Sequence, residues 1–188
     1  GITLLGEATE SFGASVVGVG GLPVEEHLVQ HALQSGLSLT TAESCTGGMI
    51  SSRMVNVPGS SRVFPCSWVC YSNSSKTREL AVDPALIEKH GAVSKEVVEQ
   101  MALHALEKSG ADLAISVSGV AGPSGGTPKK PVGTVWLALA SRREIRSHCY
   151  QLHGDRERIR LLTTNLALLV LMAAVRNLEV PGWAEKKS

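Results

Sequence analysis

Thr41-Ala42-Glu43-Ser44-Cys45-Thr46-Gly47-Gly48 joins an apolar, strand-compatible run, Leu37 to Thr41, to an apolar, helix-compatible run, Met49 to Val55. A strand, a tight turn and a helix in that order place Ser44 where a helix begins, with Gly47 and Gly48 just behind it. The first N–H groups of a helix lack intrahelical partners and carry the positive end of the macrodipole. A hydroxyl set there has donors beside it for a developing oxyanion or a bound phosphate. The plainer reading of the same residues is an N-cap serine followed by close-packed glycines.

Working outward, Val24, Leu28, Val29 and Leu33 recur at helical spacing and stop at Ser35-Gly36. After the Ser44 turn, a helix ends near Val57-Pro58-Gly59-Ser60, and Val63 to Tyr71 reads as a strand. A helical patch follows with Lys76, Leu80 and Val82, then a short helix around Leu86 to Lys89. Ser94 caps a longer helix with Val97, Val98, Met101, Leu103, Ala105 and Leu106 on its apolar face. Asp112 to Val117 reads as a buried strand, Val132 to Ala140 as the next, and Ile145 to Leu152 as its hairpin partner. The last helix runs from near Asp155 to about Asn177. This alternation predicts an α/β fold, a three-layer α/β/α sandwich around a mixed sheet. Residues 24–180 form the domain; 1–23 are a glycine-rich, weakly patterned segment, read as a linker from a longer protein, and 181–188 are a tail.

At 188 residues, 43% hydrophobic and 19% charged, the chain suits one globular domain. A net charge of +1 and 4% aromatic residues argue against nucleic-acid or membrane-surface binding. Cys45, Cys66, Cys70 and Cys149 lack metal-type spacing, and Cys66 and Cys70 read as small packing residues. Free thiols at this density, and Gly1 to Gly20 without a secretory pattern, predict a reducing, cytoplasmic setting. The apolar run Leu166 to Val175 falls short of the roughly 20 residues of a membrane span and reads as a buried helix. No metal and no cofactor are expected.

Three further stretches could carry chemistry. Tyr71-Ser72-Asn73-Ser74-Ser75-Lys76 leaves a predicted strand end, so Lys76 and Ser44 can share one rim of the sheet. A lysine serves as base for a serine only if burial or a nearby cation lowers its pKa. Left exposed, Lys76 is an ordinary helical lysine, and Tyr71 an ordinary strand-end ring. The loop Ser118-Gly119-Val120-Ala121-Gly122-Pro123-Ser124-Gly125-Gly126 is too glycine-rich for a helix and can bring amides close to a phosphate. It matches neither the dinucleotide nor the P-loop fingerprint. Gly154-Asp155-Arg156 opens the last helix, with Asp155 as cap and Arg156 suited to phosphate or carboxylate. Arg158 and Arg160 read as solvated helix charges.

Taken together these motifs resemble the CinA carboxy-terminal domain. Val57-Pro58-Gly59-Ser60-Ser61, His90-Gly91-Ala92-Val93-Ser94 and Lys130-Pro131-Val132-Gly133-Thr134-Val135 extend the resemblance, in order, over roughly residues 25 to 178. The family includes nicotinamide-nucleotide amidases, both free-standing and fused behind a nucleotide-processing domain. The resemblance implies hydrolysis of nicotinamide mononucleotide to nicotinate mononucleotide and ammonia. Position by position, it makes Ser44 the nucleophile and Lys76 the base, with Tyr71 near the pair. Cys45, Thr46 and Gly47 would supply oxyanion donors. Glu43, Gly48, Asn73, Gly119, Ala121, Gly122, Gly125, Gly126 and Arg156 would hold the substrate. The rival expectation is a non-catalytic nucleotide-binding or interaction module, or a competence adaptor. The expected partners are a small nucleotide and a sister subunit, with Trp68, Trp136 and Trp183 compatible with either core or interface.

Overall fold

The computed structural model describes residues 22–178, Val180 and Trp183. The expectations for segment 1–21 and for the tail apart from Trp183 lie outside the described residues. Among those described, the order is α1 (Val24–Ser35), β1 (Leu39–Glu43), α2 (Met49–Val55), β2 (Ser67–Val69) and α3 (Asn73–Leu80). Then come α4 (Pro84–His90), α5 (Lys95–Ser109), β3 (Leu113–Gly119), β4 (Thr134–Ser141), β5 (Ile145–Gln151) and α6 (Arg156–Val175).

The sheet order is β2-β1-β3-β4-β5. Strand β1 runs parallel to β2 and β3, while β3–β4 and β4–β5 are antiparallel, so the sheet is mixed. Strand alternation sorts the core into two layers. Leu113, Ile115, Val117, Val135 and Leu137 pack with α1, α2 and α6 on one face. Ala114, Ala138 and Ala140 meet α5 on the other, where small side chains let Val97, Val98 and Met101 close on the backbone. The α/β/α sandwich is present.

Helix ends follow local chemistry. Gly36 and Gly110 close α1 and α5 in the left-handed conformation. Ser72 and Ser75 form a reciprocal capping box that starts α3, and the Asp155 carboxylate caps α6. Helix α6 is, at 20 residues, long and apolar enough to reach a membrane span's dimensions by length and composition, which the Leu166–Val175 run alone did not suggest. Leu168, Val170 and Leu171 are nevertheless fully buried against the sheet, so it is a core helix here.

Strand boundaries move: β1 is Leu39–Glu43 rather than Leu37–Thr41, β3 runs on to Gly119, and two other shifts have local causes. The expected strand Val63 to Tyr71 is only Ser67–Val69; Val63 and Phe64 are buried after a 3₁₀ turn, Ser60–Arg62, and Pro65 cannot donate to a ladder. Strand β4 starts at Thr134 rather than Val132, because Gly133 turns there with φ +92°, close against the Leu152 carbonyl, while its own carbonyl accepts from the Leu152 N–H at 2.8 Å.

Strand β1 is the switch point. Its connection through α2 leads to β2 on one side, and the next connection returns to β3 on the other. A crevice therefore opens beyond its carboxyl end, directly at Ser44.

Candidate active site

The Ser44 turn is anchored on three sides. The Ser44 N–H continues the ladder to the Val117 carbonyl at 3.0 Å, and the Cys70 N–H reaches the Glu43 carbonyl at 2.8 Å. Gly47 N–H closes the turn on the Ser44 carbonyl at 3.1 Å, with Gly47 at φ +62° and Gly48 at φ +94°. Both need the left-handed region that glycine enters freely.

Glu43 sits beneath the turn, completely buried. Its carboxylate accepts from the Thr46 hydroxyl, the Gly48, Ile50 and Ser51 amides and the Ser51 hydroxyl, at 2.5 to 3.2 Å. These bonds compensate an otherwise costly buried charge. Glu43 is thus a structural anchor and not the substrate contact expected of it. Glu43→Ala should lower unfolding stability by about 3–5 kcal/mol, as for breaking a buried charged network; chemical denaturation measures it, and a change below about 1 kcal/mol would refute the anchor.

Lys76 rises from α3 and is only 1% exposed, while Ser44 is 7% exposed. The Lys76 Nζ lies 2.9 Å from Ser44 Oγ, and it also donates to the Cys70 carbonyl at 2.8 Å and toward that of Tyr71 at 3.5 Å. Burial holds the lysine below its ordinary value of 10.5. Sequence placed Cys70 as packing, which its buried thiol is; its carbonyl does the additional work of orienting the amine. The Cys45 thiol, beside the serine, is pushed up to about 12 by burial and stays protonated at neutral pH. Oxygen rather than sulfur is the available nucleophile here.

A cavity of ≈ 270 Å³ opens over the pair. Of the expected residues it gathers Ser44, Cys45, Tyr71, Asn73, Lys76, Gly119, Ala121 and Arg156. It also takes Ala92, Val93 and Ser118, which lie within the His90–Ser94 and Ser118–Pro123 motifs without any sequence signal of their own. Thr46, Gly47, Gly48, Gly122, Gly125 and Gly126 are not among its lining residues. The Gly47 amide is spent on Ser44 and the Gly48 amide on Glu43, so neither is an oxyanion donor or substrate contact in this arrangement. The Cys45 and Thr46 N–H groups bond no backbone acceptor among the described residues. Gly122 and Gly126 are small because Val132 crosses them, at 2.7 and 2.9 Å from where a Cβ would stand. Gly119 is small for Val135 and the Cys45 sulfur.

At the mouth, Tyr71 is 60% exposed and its hydroxyl receives Arg156 Nη2 at 2.6 Å. Arg156 Nη1 donates to the Gly122 carbonyl at 2.9 Å, tying the glycine loop to α6. Arg158 is exposed, as expected. Arg160 is not a solvated charge: its Nε donates to the Cys45 carbonyl at 3.0 Å and its Nη2 to that of Thr46 at 2.9 Å. Among the described residues no three His, Cys, Asp or Glu side chains group as a metal-ligand set.

Fold and site together define an α/β domain with a buried serine–lysine pair at the switch point of a mixed sheet. Its relatives agree on one family. The CinA C-terminal domain profile matches residues 22–175, and the chain belongs to that family. A CinA-like protein of Akkermansia muciniphila is 48% identical over 165 residues, covering 87% of this chain and 40% of that protein. A putative competence-damage inducible protein of Caldicellulosiruptor saccharolyticus is 42% identical over 165 residues, covering 88% and 40%. The chain thus spans about two-fifths of the length of these curated relatives. Among solved structures, a competence/damage inducible protein from Agrobacterium tumefaciens superposes with TM-score 0.76 at 37% identity, covering 82% of this chain and 97% of that one. A CinA superfamily protein from Klebsiella pneumoniae gives 0.78 at 31%, covering 82% and 96%.

Proposed function

We propose that the protein is an amidohydrolase that converts nicotinamide mononucleotide to nicotinate mononucleotide and ammonia. The observation that carries a hydrolytic reading is the 2.9 Å contact between two buried groups, the Ser44 hydroxyl and a lysine amine whose charged form is disfavoured. The identity of the amide rests on the family resemblance. An amide is a poor electrophile, so its hydrolysis needs both an activated hydroxyl and a preorganised oxyanion site.

In the neutral form Lys76 keeps donating to the Cys70 carbonyl and accepts the Ser44 proton. Ser44 Oγ bonds to the carboxamide carbon, and the carbonyl oxygen becomes an oxyanion facing the amide of Cys45, which lines the cavity. The tetrahedral intermediate collapses as Lys76 returns the proton to the departing nitrogen, releasing ammonia. Water then attacks the acyl-serine, giving a proton to Lys76, and the serine leaves with that proton restored. Reduced, unpaired cysteines and a freely diffusing nucleotide suit a cytoplasmic setting.

Arg156 stands where a phosphate could enter, with its guanidinium already oriented by Tyr71 and Gly122. Purified protein should therefore release ammonia from the nucleotide with a kcat/KM well above that for free nicotinamide. Arg156→Met should lower kcat/KM for the nucleotide by about 10- to 100-fold, the loss of one charged contact worth about 1.5–3 kcal/mol. Free nicotinamide should be affected far less. No ammonia from the nucleotide would reject the substrate; equal kcat/KM for the two compounds would reject the anchor.

A further inference from the structure

Arg160 reaches the Ser44 turn from the first turns of α6, 115 residues further along the chain, and grips two consecutive carbonyls of the turn. A trans, planar peptide points its C=O and its N–H in opposite directions. Holding the Cys45 carbonyl therefore fixes the direction of the Thr46 N–H. Holding the Thr46 carbonyl fixes the Gly47 N–H, which closes on the Ser44 carbonyl at 3.1 Å. That contact in turn fixes the Ser44–Cys45 peptide and the direction of the Cys45 N–H. One guanidinium thus sets both amides that bond no backbone acceptor, one directly and one through Gly47. The fork is packed close: a Cβ on Gly47 would stand 3.3 Å from Arg160 Nη2.

We propose that Arg160 is a positioning residue that fixes the turn presenting the Cys45 amide to the oxyanion, a role that deepens the amidase reading and rests on its Ser44 chemistry. Its planar, permanently charged fork can hold two carbonyls at once, which a lysine ammonium on a flexible stem does less well. A cation bonded to both carbonyls also polarises those peptides, strengthening their N–H groups as donors. The Glu43 carboxylate buried beneath the same turn acts against a developing negative charge, and a cation bonded to the turn offsets it.

The test uses Arg160→Gln and Arg160→Lys, with ammonia release and with labelling by an alkyl fluorophosphonate. In labelling, Ser44 Oγ bonds to phosphorus, fluoride leaves, and the hydroxyl proton passes to Lys76; the phosphoryl oxygen occupies the oxyanion position. Arg160→Gln should be labelled about 10- to 100-fold more slowly than wild type, with Arg160→Lys in between. The pH midpoint of labelling should not move, and kcat for the nucleotide should fall while KM stays within about twofold. Wild-type labelling rates in both variants, or a slowdown that comes through KM or a displaced pH midpoint, would overturn the proposal. Should Arg160→Gln not fold, Arg160→Lys, with a melting temperature near wild type, decides alone on the same criteria. Labelling that depends on Arg160 in a protein releasing no ammonia from the nucleotide would leave this inference standing and reject the substrate. A wild-type protein that is never labelled at Ser44 would reject both.

Discussion

Ser44→Ala is expected to remove ammonia release from the nucleotide, with kcat falling on the order of 10⁴- to 10⁶-fold, as for loss of a serine nucleophile elsewhere. The fold should survive it. The turn is held by backbone bonds, Ser44 N–H to Val117 and Gly47 N–H to the Ser44 carbonyl, and by Glu43, none of which involves the Ser44 hydroxyl. Among the described residues its Oγ has one side-chain partner, Lys76, which keeps the Cys70 carbonyl when the hydroxyl is gone. Unfolding stability should therefore stay within about 1 kcal/mol of wild type, apart from any relief of the amine's crowding. Steady-state ammonia assays and denaturant melts on the same preparation check both statements. Turnover that persists in the pure alanine variant would eliminate Ser44 as nucleophile.

The second large effect belongs to Lys76 and can be read in two ways. Lys76→Met should abolish turnover to a similar extent, because no other base stands within hydrogen-bonding reach of Ser44 Oγ among the described residues. In wild type, activity should rise with pH as the amine loses its proton, along a limb whose midpoint lies below 10.5. Stability carries the same signature. Burial lowers the folded-state pKa below the unfolded value, so between the two the unfolded chain binds more protons and Lys76 contributes a rise of stability with pH. Below the folded value both states hold the proton, its contribution is flat, and the cost of burying the charged amine is fully felt. Lys76→Met should remove that contribution from the window just below 10.5, where the buried Cys45 thiol contributes a slope of the opposite sign in both proteins. The wild-type-minus-variant difference should therefore rise with pH through that window, and a flat or falling difference would show Lys76 charged in the folded protein.

What the chain disclosed in advance was local. The strand–turn–helix around Ser44 and the strand end before Lys76 are written in short-range signals, β-branched runs followed by glycine or a serine cap, and both residues land at one rim. Glu43 and Arg160 were misread for a common reason. A carboxylate next to a nucleophile and an arginine on a helix's first turns look like a ligand contact and a solvated charge. Only the tertiary fold shows that one accepts from five donors beneath the turn and the other clasps it from a helix distant in sequence. Val63 and Phe64 were taken into a strand because a buried loop and a buried strand draw on the same apolar residues; Pro65 was the signal against it. The glycines between Gly119 and Gly126 invited a phosphate reading, yet Gly119, Gly122 and Gly126 make room for neighbouring valines.

Helix α6 brings Arg156 to the cavity mouth and Arg160 to the back of the serine turn, while its later turns are the spine of one hydrophobic layer. Local opening of a protein is cheap only where few apolar contacts must be given up. Here the wall that carries both guanidiniums cannot swing away without stripping Ile159, Leu168 and Leu171 from the sheet. Traffic in and out of the crevice is thereby left to side-chain rotation at Tyr71 and Arg156, and the bonded Ser44 and Gly47 amides of the bend should exchange hydrogen no faster than the core helix that backs them.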